Sequence, residues 1–140
     1  MDPVLVLTVL GGLVAASTAL GLVWKFAQGR IRRTDGLTVV AIADLPGVTK
    51  LARGATLLQF STEVCAPCAA MRRVLGTIAS DRADVTHIEL DLSARPDLAT
   101  RFGILQTPTT LVLDASGGIR SRIGGAARPD VVLEQLAQLT

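Results

Sequence analysis

The sequence predicts an α/β domain, a central sheet flanked by helices, preceded by one membrane-length apolar helix. Three observations predict it. Residues 4–24 carry no charged side chain. From residue 37 onward, β-branched apolar runs alternate with runs of helical period. Both cysteines fall in a single string, Cys65-Ala66-Pro67-Cys68, between one such strand and one such helix.

The N-terminal run has the length of a membrane-spanning helix at a rise of about 1.5 Å per residue. Trp24 at its end suits the membrane interface, and Lys25, Arg30, Arg32 and Arg33 follow. A cleaved signal peptide competes for the segment, but it needs a basic start and a shorter apolar core, and only Asp2 is charged before the run. A retained anchor over residues 1–27 is therefore expected, followed by a basic linker over 28–36 and a folded domain over 37–140. All four flanking basic residues lie on the C-terminal side. The positive-inside rule then makes this a single-pass cell-membrane protein with a cytoplasmic domain. An extracytoplasmic domain is the alternative.

Within the domain, residues 37–42 read as a strand, 55–61 as a buried central strand and 85–91 as a more openly alternating one. A helix is expected from Cys65 to about Ala79. Pro96 opens a short helix through Phe102 with Gly103 as its stop. Strands at 109–114 and 119–124 flank Ala115-Ser116-Gly117-Gly118, a hairpin signature. The last helix starts near Arg128-Pro129 and spaces Val132, Leu136 and Leu139 on one face. From residue 55 the order is βαβαββα, with an extra helical turn expected around residues 48–53. At 140 residues, 49% hydrophobic and a formal charge of +2, the chain suits one modest domain and is too near neutral for a nucleic-acid partner.

The cysteine string carries the chemistry. A thiol at a helix start meets unpaired backbone N–H groups and the positive end of the helix dipole, which favour its thiolate. Pro67 in the first turn gives up an N–H that no intrahelical carbonyl needs. Cys68 follows within one turn and can attack a mixed disulfide formed at Cys65. A zinc site needs about four ligands, and His87 is the only histidine. A purely structural disulfide closes too short a loop to restrict the unfolded chain much. An unreactive buried pair is disfavoured by the helix-start placement.

Taken in order, several features resemble the thioredoxin superfamily across residues 37–139. They are Phe60, then Glu63-Val64-Cys65-Ala66-Pro67-Cys68, then Phe102-Gly103-Ile104, then Thr107-Pro108-Thr109 before a strand, then Gly124-Gly125 before the last helix. The resemblance implies a thioredoxin fold, a mixed sheet with flanking helices, behind the transmembrane anchor. It also implies that Pro108 is cis and lies beside the cysteines, where the Thr107 backbone receives an extended substrate.

Departures from the pattern matter too. Val64 replaces the usual aromatic, and Thr107 a bulkier aliphatic. The buried aspartate expected six residues before Cys65 is Gln59, which cannot titrate at neutral pH. Ungapped counting from Pro108 puts Glu89 where a lysine usually accompanies that aspartate. Glu89, partly desolvated and with a raised pKa, is thus a candidate proton acceptor for Cys68; a solvated strand residue is the alternative. His87 and Asp91 share its strand parity and read as surface residues.

The expected function is thiol–disulfide exchange, in the direction of reducing protein disulfides near a membrane. Cys65 is the nucleophile and Cys68 the resolving thiol, with Glu89 as acceptor; Ala66, Pro67, Thr107 and Pro108 meet the substrate. No cofactor or metal is implied beyond the cysteine pair, but an electron donor must recycle it. The loop lacks the histidine of oxidases and isomerases. An outward-facing oxidase or isomerase, and a non-catalytic binding or assembly module, are the competing readings.

Overall fold

The computed structural model describes residues 2–139. Helix α1 (Pro3–Ala27) is capped by the Asp2 carboxylate, which accepts from the Val4 N–H at 3.2 Å. None of its side chains is buried, and an 18-residue window has a mean hydropathy of 2.1. At about 1.5 Å per residue it is long enough to cross a hydrocarbon core of about 30 Å. A membrane span and a signal sequence share these properties.

The domain is built on five strands: β1 (Arg30–Arg33), β2 (Ala55–Ser61), β3 (Val85–Asp91), β4 (Thr109–Asp114) and β5 (Ile119–Gly124). Their order is β1-β5-β4-β2-β3, with β2 and β3 parallel and every other pair antiparallel. Three helices follow in sequence, α2 (Ala66–Asp81), α3 (Pro96–Phe102) and α4 (Pro129–Ala137). The sheet divides the core in two. Leu57, Met71, Leu75, Val112, Ile123, Val132 and Leu136 pack one face under α2 and α4. Leu58, Phe60, Leu98, Leu111 and Leu113 pack the other beneath α3. β2 is buried at every position because it is central and covered on both faces.

Local chemistry sets the element ends. Pro96 and Pro129 each stand in a first helical turn, where the missing N–H costs nothing. α3 stops at Gly103, whose φ of 60° favours a residue without a Cβ. In the β4–β5 hairpin the Asp114 carboxylate accepts from the Ser116 N–H and hydroxyl and from the Gly118 N–H.

Two expectations are corrected here. The strand expected at residues 37–42 is absent. That stretch makes one isolated bridge, Val39 to Gly118, and runs into a 3-10 turn at Ile42–Asp44. Of its apolar residues Val40 is buried, whereas Leu37 and Val39 are 82% and 57% exposed, so a paired strand gains little there. The sheet's edge strand is instead β1, inside the stretch read as a linker, where Ile31 packs against the core and the arginines face outward. Charged edge strands resist unwanted pairing. The helical turn expected around 48–53 is also absent, the short turn falling upstream.

Candidate active site

Cys65 is the N-cap of α2 and Ala66 its first residue, one position later than the sequence pattern placed the helix start. Cys65 and Cys68 form a disulfide with 5.3 Å between their Cα atoms, and the Cys68 N–H donates to the Cys65 carbonyl at 3.1 Å. The two sulfurs differ in access. Cys65 is half-buried and its neighbours Ala66 and Pro67 are exposed, while Cys68 is 1% exposed. Burial of Cys68 follows helical spacing, since Met71, Leu75 and Ile78 continue the same inward face.

The Thr107-Pro108 peptide is cis. A contact between the Thr62 and Thr107 hydroxyls, at 3.4 Å, joins the Thr107 loop to the end of β2 that leads into Cys65. The Gly125 N–H donates to the Pro108 carbonyl at 2.7 Å. Val64 and Leu105, on the cysteine and proline loops, are 98% and 97% exposed.

Beneath Cys68 lies a polar network. Gln59 is fully buried; its Nε2 donates to the Cys68 carbonyl and to Ser61 Oγ, both at 3.0 Å. A backbone carbonyl only accepts, so the carboxamide's orientation is fixed and its Oε1 faces His87 Nε2 at 3.0 Å. His87 therefore carries a proton on Nε2. Ser61 donates its hydroxyl to Glu89 Oε1 at 2.6 Å, and Arg72 grips both Glu89 oxygens, with its Nη2 at 2.8 Å from Oε1. Every donor direction in the chain is set by its acceptor-only members.

This geometry contradicts the raised pKa expected of Glu89. Gln59 and Glu89 are indeed opposite one another in the β2–β3 register. However, the Arg72 guanidinium, helped by the Ser61 hydroxyl, holds the Glu89 carboxyl below its ordinary range, the reverse of the raised value expected of an acceptor. It reaches Cys68 only through Ser61 and Gln59, at a backbone carbonyl. His87, read as a surface residue, is half-buried in this network, and burial pushes its pKa down. Asp91 is exposed as expected. Ser61, His87 and Arg72 were missed as site residues. Strand parity was available for the first two, since residues 59 and 61 and residues 87 and 89 point to one face.

No cluster of three or more His, Cys, Asp or Glu suited to a metal occurs among the described residues. The chemistry available is the two-electron couple of the cysteine pair.

Comparison with known proteins agrees with this geometry. The thioredoxin family model matches residues 47–138. The chain is 34% identical over 84 residues to a thioredoxin of Mycobacterium bovis, covering 59% of this chain and 72% of that one. It is 31% identical over 74 residues to a thioredoxin of Chlamydia muridarum, covering 53% and 72%. Among solved structures, a thioredoxin from Nicotiana alata superposes with a TM-score of 0.55 at 24% identity, over 62% of this chain and 74% of that one. Chloroplastic thioredoxin z gives 0.57 at 20%, over 66% and 96%. Family match, sheet order and a Cys-x-x-Cys pair at disulfide distance agree: the chain belongs to the thioredoxin family, and it is a thiol–disulfide oxidoreductase.

Proposed function

We propose that the protein reduces disulfides of protein substrates at a membrane surface. The observation that carries this reading is the asymmetry of the pair, an accessible Cys65 at a helix N-terminus and an inaccessible Cys68 behind it. The Cys65 thiolate attacks one sulfur of a substrate disulfide, forming a mixed disulfide and releasing the other sulfur as a thiolate. Cys68, once deprotonated, attacks Cys65 Sγ and releases the second substrate thiolate. Two electrons pass to the substrate, and the Cys65–Cys68 disulfide forms. A donor dithiol or reductase of the membrane environment restores the pair by the same exchange.

Thr107 and Pro108 receive the substrate backbone, and Ala66 and Pro67 border its sulfur. The exposed Val64 and Leu105 give the two loops an apolar rim suited to an extended peptide. Glu89 acts as a positioning group, fixing Ser61 and through it the Gln59 carboxamide under Cys68. α1 serves as the anchor, with the domain on the cytoplasmic side by the flanking charges.

In the test, Cys68→Ser should accumulate mixed disulfides through Cys65, and alkylation of the reduced protein near neutral pH should modify Cys65 before Cys68. Preferential labelling of Cys68 contradicts the assignment. A membrane-impermeant thiol reagent on intact cells should leave Cys65 unlabelled; labelling from outside reverses the orientation and moves the role to exported proteins. Cellular function that survives loss of both cysteines would establish a binding module instead.

A further inference from the structure

β1 and β5 put two arginines face to face. Arg32 and Arg122 are direct partners in the antiparallel register, an arrangement that is destabilising for like charges unless an anion intervenes. Arg30 lies on the same face of β1, two residues away, while Ile31 points into the α2–α4 core. Arg122 donates to the carbonyls of Phe102 at 2.9 Å and Gly103 at 3.3 Å. Its pKa is pushed down by burial and by the charge of Arg32. Among the described residues, neither Arg30 nor Arg32 takes part in an ion pair, whereas Arg33, on the other face, lies 3.9 Å from Glu134. The three arginines open onto a cleft of about 580 Å³ bordered by Leu105, Gln106 and Gly124.

The position of this cleft along the chain identifies its occupant. α1 ends at Ala27 and β1 begins at Arg30. Three residues span at most about 11 Å. The link has no slack, because Gly29, at a φ of 71°, donates its N–H to the Gly124 carbonyl at 2.9 Å. With α1 in a bilayer and Trp24 at its interface, Arg30 and Arg32 fall at the level of the headgroups.

We propose that the Arg30–Arg32–Arg122 cleft binds the phosphate of an anionic phospholipid headgroup and so seats the β1–β5 edge against the membrane. The lipid supplies the anion that Arg32 and Arg122 lack. Because Leu105 and Gln106 lead directly into Thr107 and Pro108, this contact would fix the substrate-binding loop relative to the bilayer. The proposal rests on α1 being a membrane anchor.

The test uses the full chain in nanodiscs of phosphatidylcholine with increasing phosphatidylglycerol, read by amide hydrogen exchange across β1 and residues 103–106. Failure to insert would refute the anchor, and the cleft proposal with it. Insertion separates the two questions. Phosphatidylglycerol should then slow exchange in these segments. In Arg32→Gln, the mole fraction giving half-maximal protection should rise about fivefold, the factor for about 1 kcal/mol per arginine at an anionic surface. Arg33→Gln removes the same charge from the neighbouring position on the opposite face and should shift the midpoint much less. Equal shifts for both variants would reduce the effect to general surface charge and overturn the site. Equal protection by inorganic phosphate in phosphatidylcholine discs would overturn the lipid as its occupant. Far-UV circular dichroism of Arg32→Gln serves as the folding control and should match that of the parent protein.

Discussion

Gln59→Glu tests the network beneath Cys68 most directly. The side chains have nearly equal volume, but the substitution replaces the Nε2 donor of two hydrogen bonds with an oxygen facing the Cys68 carbonyl. When protonated, the new carboxyl can serve only one of those acceptors, a loss of about 1 kcal/mol. When ionised, it is a charge at a site with no exposure. Burial should raise its pKa by about 2 to 3 units above the unfolded value near 4.3. His87 is the one neighbour able to offset this by taking a proton. Between pH 4.3 and the folded pKa the unfolded chain has released its proton and the native protein has not. Stability therefore falls as pH rises, by about 1.4 kcal/mol per pH unit, reaching about 3 kcal/mol at pH 7. Urea unfolding of both proteins from pH 4 to 8 measures the difference directly. A difference that stays constant across this range would refute the assigned carboxamide orientation and the claim that the site excludes charge.

Glu89→Gln should leave the pH profile of mixed-disulfide resolution between pH 5 and 8 unchanged, because the paired carboxylate is ionised throughout; a slowed, pH-shifted resolution would restore it as the proton acceptor. The same variant should blunt acid sensitivity. Glu89's folded pKa is depressed chiefly by Arg72, so its stabilisation is present above the unfolded carboxylate pKa and lost as pH falls through the lower folded value. His87 is pushed down mainly by burial, with Glu89 opposing and Arg72 assisting. Its neutral form thus favours the native state above about pH 6.5, and that contribution fades as pH falls toward the folded pKa. His87→Gln should remove this slope, seen by comparing unfolding at pH 8 and pH 5. Thr110→Val deletes a buried hydroxyl that has no partner among the described residues and should raise stability by about 1 kcal/mol in urea unfolding.

What the sequence made legible follows from how strongly burial marks a segment. β2, β3, the β4–β5 hairpin and helices α2 to α4 announce themselves by period and by proline, glycine and aspartate at their ends. β1 does not, because an edge strand with one inward position, Ile31, reads as a basic flank. Residues 37–42 failed in the opposite way, their composition apolar but their side chains largely in solvent. At the site, the cysteines and Pro108 were readable as motifs, and Gln59 and Glu89 by counting. The partners that decide what Glu89 does were not readable. Arg72 comes from a helix four residues beyond Cys68 and Ser61 from the neighbouring strand, so only packing of α2 over the β2–β3 pair brings them together.

Replacing a buried acid by Gln59 changes what the interior can do. A carboxyl beneath a thiol can exchange protons with it but must be desolvated, at a cost that varies with pH. A carboxamide forgoes that exchange and, with His87 and Ser61 on either side, satisfies all its polar atoms at every pH. The charge is moved outward to Glu89, where Arg72 neutralises it near solvent. The Gln59 Nε2 donates both to the Cys68 carbonyl and to Ser61 Oγ, so the geometry under Cys68 does not depend on a proton at residue 59. Proton release by Cys68 is then expected to fall to water or to the departing substrate sulfur, an expectation that an unchanged pH profile of resolution in Glu89→Gln would bear out.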